Sequence, residues 1–158
     1  MELSVSEDID APAAAVWDRV TDFSMAEDMA KDRGVELTRA GNWTQAAQGV
    51  EWRGKVTVRG KTRKITSRIS HFAPEDTLVV NSTIGGMHTV YTVILVALSP
   101  QVTRATATLQ VSATTLTARL ILQTMKLARG RLADRLQGLL RRQGKAARDA
   151  HEKAMRSA

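Results

Sequence analysis

No cysteine occurs in the 158 residues, and that single absence removes disulfides, thiolate nucleophiles and thiolate metal sites together. It accords with a reducing compartment. No apolar run approaches the roughly 18 residues of a membrane-spanning helix. The acidic opening MELSVSEDID lacks both the basic and the apolar region of a secretory signal. A cytoplasmic protein is the simplest expectation. His71, His88 and His151 have no partner at metal-ligand spacing, so neither a metal nor a cofactor is expected. No acidic pair has a spacing that a helix or strand converts into a general acid and base, and no G-x-S-x-G elbow supports a nucleophile. No catalytic residue is therefore assigned. Repeats, low-complexity tracts and dividing linkers are absent too. Residues 1–158 read as a single domain, with 143–158 as a polar, fraying extension.

What the chain does have is sorted charge. Its formal +7 lies wholly in residues 126–158, which hold ten Lys or Arg against three acids, while residues 1–125 hold thirteen of each sign. Within that neutral part, Met1 to Glu36 carries ten acids against three bases, and Arg53 to Arg68 carries seven bases and no acid. Basic surfaces are thus expected on a hairpin and on the last helix, opposite an acidic N-terminal region.

Periodicity supplies the elements. Glu2 to Ile9 reads as a strand, and Ile9 to Phe23 as a short helix with Asp10 or Ala11 as cap, Pro12 in its first turn, and Val16, Trp17, Val20 and Phe23 on one face. Ser24 to Glu27 has capping-box form and predicts a second short helix ending near Gly34, followed by a strand over Val35 to Ala40. Val50, Trp52, Val56 and Val58 then alternate with Glu51, Arg53, Lys55, Thr57 and Arg59, in the clearest strand of the chain. A turn at Gly60 and Lys61 leads to a second strand with Ile65, Ser67 and Ile69 on the inner face. After Pro74 to Asp76, a third has Leu78, Val80, Ser82 and Ile84 inward. Met87 to Leu98 is apolar on both faces, so its inward set is open and a monomer and a homodimer are both compatible with it. Ala105, Ala107, Leu109 and Val111 face inward on the last strand. From Thr114 or Thr115 one long helix follows, with a stripe of Ile121, Met125, Ala128, Leu132, Leu136 and Leu139. The order is α+β, with an antiparallel sheet of about seven strands curved around a long C-terminal helix and two short helices after strand 1.

The opening strand with IDAPAAAVWDRVTDF is similar to the pattern I-x-A-P-x-x-x-V-W-x-x-(V/L)-x-D, and this motif together with the element order resembles the START-like or Bet v 1-like superfamily (SRPBCC), in its bacterial polyketide cyclase/dehydrase and lipid-transport branch. The resemblance implies a helix-grip fold with a hydrophobic pocket between sheet and C-terminal helix. It also implies binding or transport of a lipid, quinone or polyketide-like molecule, with a cyclase or dehydratase as the alternative. The chain departs from the pattern at SMAEDMAKDRG, beside the implied pocket mouth, so no ligand carries over.

The implied pocket selects inward-facing residues: Trp52, Val56, Ile65, Ser67, Ile69, Leu78, Val80, Ser82, Ala107, Leu109, Ile121 and Met125. Trp17 and Phe23 read as packing of the first helix, Trp52 as pocket wall or closed core. Ser67, Ser82 and Thr92 or Thr103 place hydroxyls at otherwise apolar positions, and each must meet a backbone group, a water or a ligand. His71 and His88 stand near strand ends, where either a surface or a pocket-rim position is open. Arg53, Lys55, Arg59, Lys61, Lys64 and Arg68 form a basic hairpin face, read as solvated surface or as contacts for an anionic membrane or a ribosome or other RNA. Nucleic acid is disfavoured, because Phe72 and Tyr91 are the only Phe or Tyr beyond the first helix and no aromatic interleaves the bases.

Overall fold

The computed structural model describes residues 1–158. In chain order the elements are β1 (Glu2–Ile9), α1 (Ala13–Val20), α2 (Phe23–Asp32), β2 (Glu36–Arg39), β3 (Glu51–Val58), β4 (Lys61–Ala73), β5 (Thr77–Ile84), β6 (Met87–Ser99), β7 (Val102–Ala113), α3 (Leu116–Leu127) and α4 (Arg129–Arg156). The seven strands form one antiparallel sheet in the order β1-β7-β6-β5-β4-β3-β2. This is the helix-grip α+β architecture, with α4 laid over the β1 and α1 side of the sheet.

The expected alternation places the core. Trp52, Ile65, Ile69 and Leu78 are buried, while Arg53, Lys55, Lys64 and Arg68 on the opposite face are exposed. On β6, Val93 and Leu95 are buried and Ile94, Val96 and Leu98 are exposed, so the odd-numbered set points inward. One irregularity redirects a side chain: the register shifts between Ile69 and His71 on β4. The extra residue turns His71 to solvent and Phe72 inward, where the Phe72 ring meets Trp17 edge-on at 5.2 Å. Trp17 and Phe23 are both buried: Trp17 anchors α1 to the sheet, whereas Phe23, expected at the end of the first helix, is the first residue of α2 and meets the Trp52 ring edge-on at 5.9 Å.

Several local expectations are corrected. Pro12 itself is the N-cap of α1, with no side-chain cap, rather than a first-turn residue behind Asp10 or Ala11. The cap of α2 is Asp22, whose carboxylate accepts from the Met25 N–H at 3.0 Å, and not Ser24, because the helix starts a residue before it. The β3–β4 turn uses Arg59 and Gly60, with φ 51° and 79°, which suits a two-residue hairpin loop. Thr115 does cap α3, accepting from the Ala118 N–H at 3.2 Å.

The long C-terminal helix is the largest correction. It divides at Ala128, which leaves helical geometry at φ −99° and ψ 19°, close to Gly130 and its low helix propensity. The division frees α4 to turn its own stripe onto β1 and α1: Leu136, Leu140, Gly144 and Ala147 are buried. Residues 143–158, expected to fray, are helical as far as Arg156. Gly144 allows this seat, since a Cβ there would approach Ile9 Cγ1 to 2.8 Å. Glu7 of β1 fastens the same face, its Oε1 accepting from Gln137 Nε2 at 2.8 Å and Arg141 Nε at 2.6 Å. The acidic N-terminal strand and the basic last helix therefore partly neutralise each other.

Candidate functional site: an apolar cavity under α2 and α4

Between the inner face of the sheet and the pair α2 and α4 lies a cavity of about 460 Å³. Strand residues Trp52, Ser67, Ile69, Leu78, Val80, Ser82 and Tyr91 form its floor. Met25, Met29 and Ala30 of α2, with Leu139 of α4, form its roof. An adjoining recess of about 340 Å³ shares Met25, Met29, Arg33, Leu139 and Gln143 and leads out past Asp32 and Arg142. The space is bounded on its β2 side by Leu37, and β2 can lie that close to β3 only because position 54 is glycine. A Cβ there would overlap the Glu36 carbonyl oxygen.

Polar groups are a minority of the lining. Ser67 and Ser82 are register partners whose hydroxyls bond each other at 2.7 Å, so neither is orphaned and one proton or lone pair remains for a guest. Glu27 is committed to structure: its Oε1 accepts from Arg39 Nε at 2.9 Å and Trp52 Nε1 at 3.2 Å, and the Arg39 guanidinium stacks 3.8 Å over the Phe23 ring. These contacts tie α2 to β2 and β3 and hold the cavity wall. Burial pushes the Tyr91 phenol up to about 12, with no hydrogen bond offsetting the loss of water. The Gln143 Oε1, buried at the cavity's α4 side, has no donor.

Of the pocket residues expected from the sequence, Trp52, Ser67, Ile69, Leu78, Val80 and Ser82 line this cavity, and the others lie elsewhere. Ile65 is buried and Val56 half-buried one or more rows nearer the β3–β4 turn. Ala107 is fully buried in the core and Leu109 packs against it. Ile121 and Met125 are half-buried on α3, off the cavity, because the division at Ala128 separates them from the α4 residues that roof it. The α2 and β2 lining, Tyr91 and Gln143 were missed. The signal for α2 was the Met25 and Met29 pair with Phe23, Ala26 and Ala30 at helical spacing in an otherwise charged segment.

The remaining candidates fall outside. His71 is exposed, His88 is exposed on the outer face with Nδ1 3.2 Å from Thr83 Oγ1, and His151 Nε2 lies 3.1 Å from Gln101 Oε1. The Thr103 hydroxyl donates to the Ala11 carbonyl at 2.8 Å and is a fully buried structural bond. Arg53, Lys55, Arg59, Lys61, Lys64 and Arg68 are all exposed, and Lys55 stands directly opposite Lys64.

A curved antiparallel sheet gripping a C-terminal helix over an apolar cavity defines the START-like class. The family model described as polyketide cyclase/dehydrase and lipid transport matches residues 1–146, and the chain belongs to that family. Among solved structures, a Zhui aromatase/cyclase from a Streptomyces species superposes with a TM-score of 0.65 at 17% identity, covering 95% of each chain. A Thermus thermophilus protein, TTHA0849, gives 0.64 at 18% identity, covering 95% of this chain and 99% of that one. A START superfamily protein from Mycobacterium smegmatis gives 0.54 at 14% identity, over 87% of this chain and 98% of that one. At these identities the likeness is one of fold. No curated protein sequence matches the chain.

Proposed function

We propose that the protein binds a hydrophobic or amphipathic small molecule in the cavity beneath α2 and α4. The carrying observation is that space itself: about 460 Å³, walled largely by apolar side chains, with a few hydrogen-bonding groups at separate points. A guest burying about 200 Å² of apolar surface would gain about 5 kcal/mol from leaving water. The Ser67 and Ser82 pair, the Tyr91 hydroxyl and the unpartnered Gln143 Oε1 would orient its polar end. Trp52, Ile69, Leu78 and Val80 are its proposed apolar contacts. A lipid, a quinone or a polycyclic aromatic polyketide has the required size and polarity.

The alternative, a cyclase or dehydratase, draws on the family description and the aromatase/cyclase neighbour rather than on an acid–base pair in the cavity. Each histidine lies outside the cavity, Glu27 is held by Arg39 and Trp52, and Tyr91 keeps its proton to about pH 12. The test is native mass spectrometry and thermal-shift screening with lipids, quinones and aromatic polyketides, on the wild type and on a cavity-filled Ala30→Trp/Ser82→Phe variant. Binding is expected to raise the wild-type midpoint and to vanish in the filled variant. No bound species from any class, or equal binding by both proteins, overturns the reading.

A further inference from the structure

The end of the molecule away from the α4 seat carries a feature that the cavity does not use. At about 100° per residue, Leu116, Leu120 and Leu127 fall within about 40° of one another on α3, and they are 74%, 59% and 92% exposed. The opposite side of the same helix, with Ala118 buried and Ile121, Leu122 and Met125 half-buried, already faces the protein. These leucines are therefore surplus to folding. Residues 114–133 contain no acid, and neither do residues 53–73 of the β3–β4 hairpin. The two segments meet where Arg59 Nη2 donates to Thr124 Oγ1 at 3.3 Å. Exposed Arg59, Lys61, Arg119, Lys126, Arg129 and Arg131 thus accompany the leucine row.

We propose that α3 and the β3–β4 hairpin tip form a docking surface for an anionic lipid bilayer, with the leucines entering the interface and the cations meeting its phosphates. The partner follows from the combination. A nucleic acid would reward the charges but not the bare leucines, and the patch offers no aromatic to stack a base. A second copy across a twofold axis would oppose these cations to themselves. An anionic bilayer satisfies both features, in the manner of an amphipathic helix lying in the interface. No helix is long and apolar enough to cross a membrane, so the mode is surface docking.

The inference is independent of what fills the cavity. Because the chain has no cysteine, a single Leu127→Cys carries an environment-sensitive fluorophore without competition, and Ser99→Cys at the far end of the sheet serves as control. With phosphatidylglycerol-containing vesicles, the label at 127 is expected to shift to the blue and the label at 99 to stay unchanged. In sedimentation, binding to phosphatidylcholine alone, or to the anionic vesicles after raising salt, should fall at least about tenfold. Leu120→Glu/Leu127→Glu should lose binding by a similar factor with an unchanged melting midpoint, since both side chains are exposed. The proposal is overturned by wild-type protein that ignores anionic vesicles, by a label at 127 that does not respond, or by full binding of the double variant. It is equally overturned by an oligomer that this variant dissolves, or by RNA binding without vesicle binding.

Discussion

The two helices that end the chain, α3 and α4, arise from one continuous helical pattern yet behave oppositely. Both are basic and both carry leucines at helical spacing. In α4, Leu136 and Leu140 are buried against β1 and α1, and Gln137 and Arg141 bond Glu7. In α3, only Ala118 is buried, and three leucines face water. An apolar stripe is thus a capacity to be covered and does not name what covers it. Here a single swivel at Ala128 assigns one stripe to the core and leaves part of the other outside.

The sharpest test of this contrast is truncation of matched leucines. Leu140→Ala removes a fully buried side chain and should cost about 2–5 kcal/mol by denaturant unfolding. Leu127→Ala should change stability by less than about 0.5 kcal/mol. Similar costs at the two positions would break the comparison.

The next effect concerns the cavity that α4 roofs and α3 does not touch. Tyr91 is the only tyrosine, so its titration is read directly by ultraviolet absorbance. A phenol raised from its ordinary 10 to about 12 on folding contributes fully below pH 10, and that contribution is lost as pH climbs through the folded value. Stability should therefore fall by up to about 2–3 kcal/mol between pH 10 and pH 12 beyond whatever Tyr91→Phe loses. Phenolate absorbance appearing near pH 10 in the folded protein would contradict the burial of this phenol.

A smaller effect tests how α3 is held. Thr115→Ala deletes its cap and should cost about 1 kcal/mol, seen as a lower melting midpoint. Substituting Arg59, which sits at φ 51° in the hairpin turn next to α3, with Asn should raise stability by a few tenths of a kcal/mol up to about 1 kcal/mol. A loss instead would show that the hydrogen bond to Thr124 outweighs the strained backbone.

Legibility followed the range of the interactions. The strands of the hairpin, the buried face of α1 and the Thr115 cap depend on neighbours within a few residues, and the sequence displays them. The inward turn of Phe72 was hidden, because a bulge shifts the alternation by one residue without a glycine to mark it. The seat of α4 was hidden too: RQGKAARDAHEKAMRSA looks solvated until Gly144 and Ala147 meet β1 and α1 across more than a hundred residues of chain. For the cavity, the β4 and β5 floor could be read from period two. Its α2 roof was missed although Phe23, Met25, Ala26, Met29 and Ala30 recur at helical spacing, because charged neighbours dilute that face and nothing in the segment shows what lies beneath it.

By itself, then, the sequence determined the alternating strands, the motif-bearing first helix, the segregation of charge and the family those features signal, all set by local periodicity and backbone preference. Only the tertiary structure decided where the closing helix divides, which stripe is buried, where the cavity lies and which leucines remain outside. Those outcomes depend on volumes and approaches between elements distant in sequence, such as Gly144 against Ile9 and Gly54 against Glu36. No local pattern encodes them.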